Sequence, residues 1–134
     1  MLKDIVEENF EGIGIAVVHE LGEEAEMVWN AYAINYTQHV LTGVLVSSKG
    51  YGLIEGEEKV TTLLRHFLDT IEPLSYVKIE PIPSELFVLN NEYWMSYYVG
   101  GKIYDKKYTF KENSIRENQL ELVSLLNKQG ILLL

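Results

Sequence analysis

Tyr93-Trp94-Met95-Ser96-Tyr97-Tyr98-Val99-Gly100-Gly101-Lys102-Ile103-Tyr104-Asp105-Lys106-Lys107-Tyr108-Thr109-Phe110 places two runs of β-forming residues on either side of a glycine pair. Both glycines can take positive φ, which a two-residue hairpin turn of the right twist requires. The expected hairpin sets Val99 opposite Lys102, Tyr98 opposite Ile103 and Tyr97 opposite Tyr104. Side-chain alternation then gives two faces. One carries Tyr93, Met95, Tyr97, Val99, Tyr104, Tyr108 and Phe110, with Lys102 and Lys106 among them. The other carries Trp94, Tyr98 and Ile103, with Glu92, Ser96, Asp105, Lys107 and Thr109. Neither face is plainly polar. A lone hairpin is marginal in water, so further strands and cover on at least one side are required.

Upstream of the hairpin, Leu86 to Leu89 reads as an extended run, and Asn90-Asn91 as a bend or bulge leading into it. Pro81 and Pro83 limit any sheet there, because proline cannot donate to a ladder. Tyr76 to Glu80 reads as a strand. Nearer the N-terminus, strands are expected at Ile13–His19, Met27–Tyr36 and Val40–Ser47, and these three form an antiparallel meander. Residues 47–52 read as a flexible loop. Its glycines, lysine and hydroxyls do not have the spacing of a phosphate-binding loop. Leu2, Ile5, Val6 and Phe10 lie near helical spacing, so a short helix is expected over residues 2–10.

Two segments carry helical patterns. Val60, Leu63, Leu64, Phe67, Leu68 and Ile71 fall on one stripe, which predicts a buried helix over residues 57–71. Thr61 and Thr62 favour extended chain instead, so a strand pair is the alternative. Ser114 with Glu117 fits a capping box, and Ile115, Leu122, Val123 and Leu126 share a helical face that Gly130 would end. The tail Ile131-Leu132-Leu133-Leu134 is too apolar to hang free and should pack on the body or on another subunit. The expectation is one domain over residues 1–134, mainly β with a β-rich α+β arrangement as the variant. It comprises an antiparallel sheet or two-sheet sandwich of about six or seven strands, a C-terminal amphipathic helix and one or two further short helices.

Composition narrows the chemistry. There is no cysteine, which excludes disulfides, thiol nucleophiles and thiolate metal sites within this sequence. No apolar run is long enough for a membrane span, and the first residues lack the apolar core of a secretory signal, so cytoplasmic residence is expected. The net charge is −9, most of it from acids in the first 26 residues, which opposes approach to nucleic acid or anionic lipid. His19, His39 and His66 lack metal-site spacing, and the acidic run 20–26 lacks a calcium-loop framework, so no metal or other cofactor is expected. No nucleophile elbow is present, and no catalytic residue can be assigned.

Two surfaces are left as candidates. Tyrosines interleaved with lysines suit a protein interface, since tyrosine offers large contact area at small entropic cost. Burial as core is the first reading of this hairpin face and a protein partner or self-association the second, ahead of nucleic acid or a small ligand; as an interface it would comprise Tyr93, Met95, Tyr97, Lys102, Tyr104, Lys106 and Tyr108 with the tail Ile131, Leu132, Leu133 and Leu134. The functional expectation is a non-catalytic binding or assembly domain that self-associates. The rival is a small-ligand or enzymatic pocket between sheet and helix, drawing on Arg65 and His66.

Overall fold

A computed structural model describes residues 10–134. Among these residues ten strands form two five-stranded antiparallel sheets. The first sheet takes β1 (Ile13–Leu21), β2 (Met27–Asn35), β6 (Ser75–Pro81), β9 (Glu121–Val123) and β10 (Lys128–Leu133), in the order β6-β2-β1-β10-β9. The second takes β3 (Leu41–Ile54), β4 (Glu57–Val60), β5 (Leu64–Ile71), β7 (Asn90–Val99) and β8 (Lys102–Phe110). In it β3 is paired with β7 along one edge, while β5 and then β4 share the other.

The Gly100–Gly101 hairpin has the expected register, with Val99 opposite Lys102, Tyr98 opposite Ile103 and Tyr97 opposite Tyr104. Both turn glycines hold positive φ, at 58° and 82°. The meander stops at two strands: β1 pairs with β2, but β2 takes β6 as its other neighbour and β3 crosses to the second sheet. Residues 47–52 are not a loop. They continue β3, which is why that strand is long enough to hold two partners in succession on one edge. Of the run Leu86–Leu89 only Leu89 is extended; Ser84–Val88 is a 3-10 turn, and Asn90 and Asn91 start β7 without a bulge there.

Both helix expectations within the described residues are corrected. Residues 57–71 form the strand pair β4 and β5, divided at Thr61-Thr62-Leu63. The apparent stripe is not buried, since Leu63, Leu64 and Phe67 are exposed and Ile71 alone of the set is fully inside. At the C-terminus a 3-10 turn at Glu117–Gln119 leads into the β9–β10 hairpin in place of a helix. Ser114 Oγ donates to the Lys111 carbonyl at 2.6 Å and caps no helix. Leu125 and Asn127 take left-handed φ, which turns the chain back on itself. Gly130 does not end a helix but lies opposite Val18, where an added Cβ would meet the Val17 carbonyl oxygen at 2.5 Å. Close approach of β10 to β1 is what that glycine permits. These two segments supply four of the ten strands, which explains the undercount. The helix expected over residues 2–10 falls outside the described residues, apart from Phe10.

The main core fills the space between the sheets. Ile13, Ile15, Val17, Ala31 and Ala33 from the first sheet meet Val44, Val46, Tyr93, Met95, Tyr97, Tyr108 and Phe110 from the second. The Tyr108 hydroxyl donates to the Ile13 carbonyl at 2.6 Å, so a buried phenol bridges the layers without an unpaired group. A smaller cluster lies on the far side of the first sheet, where Ala16, Val18 and Ile34 are covered by Val123 and Leu126 of the C-terminal hairpin. Part of the far face of the first sheet is thus covered by its own C-terminal hairpin, while Tyr76 of β6 stays exposed there. Among the described residues, the second sheet packs on the core with its inner face.

Candidate binding surface

Because side chains alternate, the core residues of β3, β5, β7 and β8 fix which of their neighbours point away from the core. Register then places those neighbours in rows across the second sheet. Arg65, Ser47, Trp94 and Lys107 form one row; Phe67, Leu45, Ser96 and Asp105 form the next; Tyr98 and Ile103 lie beyond, near the Gly100–Gly101 turn. Five large apolar side chains on this face are exposed: Phe67 by 67%, Ile103 by 58%, Trp94 by 45%, Tyr98 by 43% and Leu45 by 38%. Scattered exposed apolar residues are ordinary, but a contiguous set on one flat face marks a contact site. The Lys107 ammonium lies 5.8 Å from the Trp94 ring centroid, so a cation and an indole share the middle of the face.

At the far end the face runs onto the ribbon formed by β4 and the last residues of β3. Its turn, Glu55–Gly56, has φ of 53° and 82°, the combination a tight hairpin needs. Tyr51 pairs with Val60 and Leu53 with Glu58, which puts Leu53 and Val60 on the same outer side, both well exposed. A groove of about 360 Å³ lies there, lined by Tyr51, Leu53, Glu58 and Val60 among others.

The residues expected at an interface are divided by the fold. Tyr93, Met95, Tyr97 and Tyr108 are buried between the sheets, so that hairpin face is core. Tyr104 is half-buried and stacks on Tyr97, and Lys102 and Lys106 lie over the Tyr104 and Tyr108 rings at the rim. Ile131 and Leu133 pack against the main core and Leu132 against the smaller cluster, each half-buried within β10; Leu134 is exposed. The tail packs on the body, as one of its two expected fates. The hairpin's other face is the exposed one, and its residues are legible in the sequence although their exposure is not.

Arg65 and His66 are adjacent on β5 and therefore point to opposite sides of the sheet, so they do not form one site. Arg65 belongs to the outer face, while the His66 ring turns inward to Glu80 of β6, with Nε2 2.7 Å from Oε1. A carboxylate accepts only, so Nε2 carries the proton. Ser48 Oγ donates to Glu80 Oε1 at 3.0 Å and the Tyr93 hydroxyl to Oε2 at 2.8 Å. One carboxylate of the first sheet thus receives three donors from β3, β5 and β7 of the second. Burial first, and then the Glu80 charge, pushes the Tyr93 phenol far above its ordinary value. A cavity of about 90 Å³ adjoins Glu80, Ser48 and Tyr93. The hydroxyls there already donate to Glu80, and the amide of Asn91 donates to the Leu86 and Leu89 carbonyls. The constellation is a polar clamp between sheets, with its donors spent internally.

A second buried carboxylate, Glu20, lies on the far side of the first sheet. Asn30 Nδ2 and the Tyr32 hydroxyl each donate to Oε2 at 2.7 Å, and Lys128 Nζ lies 3.3 Å from Oε1. Burial acts to raise the Glu20 pKa, but those hydrogen bonds and the lysine charge outweigh it and hold the carboxyl below its usual range. Among the described residues no three His, Asp or Glu side chains converge as a metal-binding group. Among them, too, no helix is long and apolar enough to cross a membrane.

No protein-family model matches this sequence, and no curated protein matches it.

Proposed function

We propose that the protein is a non-catalytic binding domain that self-associates through the outer face of its second sheet. The observation that carries this reading is the asymmetry of cover. Ala16, Val18 and Ile34 on the far face of the first sheet are fully buried, whereas the five apolar side chains around Trp94 on the outer face of the second are 38–67% exposed. Exposed aromatic and aliphatic side chains interspersed with charges of both signs have the make-up of a protein interface.

A second copy suits this face better than the sheet edges do. The edge strand β8 carries Lys102, Lys106 and Lys107, β9 is three residues long, β5 is irregularly paired with β3, and β6 ends in Pro81 and shifts register against β2. Such features discourage edge-to-edge pairing. The outer face itself carries both signs, with Lys49, Arg65 and Lys107 against Glu92 and Asp105, so it is spared the −9 charge of the whole chain. Two copies can meet there without large repulsion.

The test replaces apolar contacts at their exposed ends. Phe67→Ser with Ile103→Ser should lower the association state in light scattering while leaving the circular dichroism and unfolding midpoint nearly unchanged. An unaltered association state in that variant would remove the face from the interface.

A further inference from the structure

A cavity of about 270 Å³ lies on the inner side of the β7–β8 hairpin, where the chain leading into β1 meets it. We propose that this cavity is a binding site for a small organic ammonium ion, a primary amine carried on an aromatic or apolar body. The site stands whether or not the protein self-associates.

Its lining supplies three things that such a ligand needs. The first is an aromatic wall. Ring centroids lie 5.2 Å apart for Phe10 and Tyr104, 6.4 Å for Phe10 and Tyr97, and 5.9 Å for Tyr97 and Tyr104. Rings that close to one another form a continuous surface, against which a ligand ring or an ammonium can lie.

The second is a hydroxyl. Tyr97 is only 2% exposed, yet among the described residues its phenol oxygen has no hydrogen-bond partner. The neighbouring buried phenols differ, since Tyr93 donates to Glu80 and Tyr108 to the Ile13 carbonyl. Among the described residues no side-chain oxygen is both sealed from solvent and unpartnered, so the Tyr97 oxygen is reached through the cavity that it lines. A phenol oxygen can accept an N–H, which a primary ammonium offers and a quaternary one lacks.

The third is negative charge. Glu11 and Asp105 line the cavity against a single lysine, Lys106, whose ammonium is drawn to the Tyr108 ring, 5.4 Å from its centroid. The Asp105 side chain belongs to the outer side of β8, but its charge is felt inside. Burial first, then Tyr104 and Asp105, push the Tyr97 phenol up to about 12. Surroundings that oppose a phenolate favour a cation beside it.

The probe is benzylammonium, with benzoate and benzyl alcohol as its anionic and neutral counterparts. Amide chemical shifts of the full chain report binding. Benzylammonium should move the amides of Gly12, Tyr97 and Asp105 with a dissociation constant of ~1 mM, as expected for so few atoms. The two counterparts should leave them in place at the same concentrations. Tyr97→Phe removes an oxygen without a protein partner and keeps the ring, so the fold persists while binding weakens by about 10-fold. Lys106→Gln deletes the opposing charge and should tighten binding by about 3-fold. Preference for benzoate would mean that Lys106 sets the charge of the site. Equal binding of benzyl alcohol would mean an apolar hollow only. Either result overturns the proposal, as does an affinity unchanged in Tyr97→Phe or the absence of shifts at those three amides.

Discussion

Replacing Glu80 by alanine removes the acceptor for three donors at once. Ser48 and Tyr93 are nearly inaccessible, at 5% and 1% exposure, so their hydroxyls lose the partner that offsets their burial. Each buried donor left unpaired costs about 1–3 kcal/mol, which gives about 2–6 kcal/mol for the two. Water entering the adjoining cavity of about 90 Å³ sets the lower end of that range. His66 is more exposed and can turn to water, so His66→Ala should cost only about 1 kcal/mol. Tyr93→Phe leaves the carboxylate two donors and should cost about 1–2 kcal/mol. Against a typical domain stability of about 5–15 kcal/mol, Glu80→Ala is a large loss. The assay is urea unfolding followed by the fluorescence of the two tryptophans. The expected order of loss is Glu80→Ala, then Tyr93→Phe, then His66→Ala. If Glu80→Ala cost no more than His66→Ala, the carboxylate would not be the hub of the clamp, and the reasoning would fail.

Two further predictions concern pH. Glu20 is held below its ordinary pKa of 4.5, so its contribution is present above that value and is lost as pH falls through the folded-state value. Glu20→Gln should therefore be destabilised at neutral pH and approach the unmodified protein in strong acid, as thermal unfolding across pH would record. At the alkaline end, burial first, then Tyr104 and Asp105, push Tyr97 from 10.0 up to about 12. A raised phenol favours the protonated folded state, so its contribution is intact below pH 10.0 and is lost between there and about 12. Phenolate absorbance and unfolding should then rise together across that interval, and Tyr97→Phe should lessen the loss. A phenolate signal complete near pH 10 in the folded protein would contradict this.

The parts of the fold legible in the sequence are those set by neighbours in the chain. Gly100–Gly101 fixes a turn, the turn fixes register, and register fixes which hairpin residues share a face. Which face lies inside was not legible, because Tyr93, Met95 and Tyr97 on one side resemble Trp94, Tyr98 and Ile103 on the other in size and polarity. The deciding factor is whether another layer arrives, and that layer comes from strands some 60 to 80 residues upstream. The C-terminal segment misled for a related reason. Leu122, Val123 and Leu126 fit a helical stripe, yet the same spacing places Val123 and Leu126 on one side of a hairpin when Leu125 and Asn127 turn left-handed. Nothing in those residue types announces that conformation for leucine. The Glu80 clamp needs residues of β3, β5, β6 and β7 brought together across two sheets, which no spacing along the chain encodes. His66 carried the one available hint, and Arg65 drew the eye to the wrong side of the strand.

The proposed self-association requires the open face of the second sheet to be closed by another copy. Sedimentation equilibrium of the unmodified protein over the micromolar range tests this directly. The expected result is a reversible dimer that the paired Phe67 and Ile103 substitutions convert to monomer. A single species of monomer mass throughout that range would contradict the account.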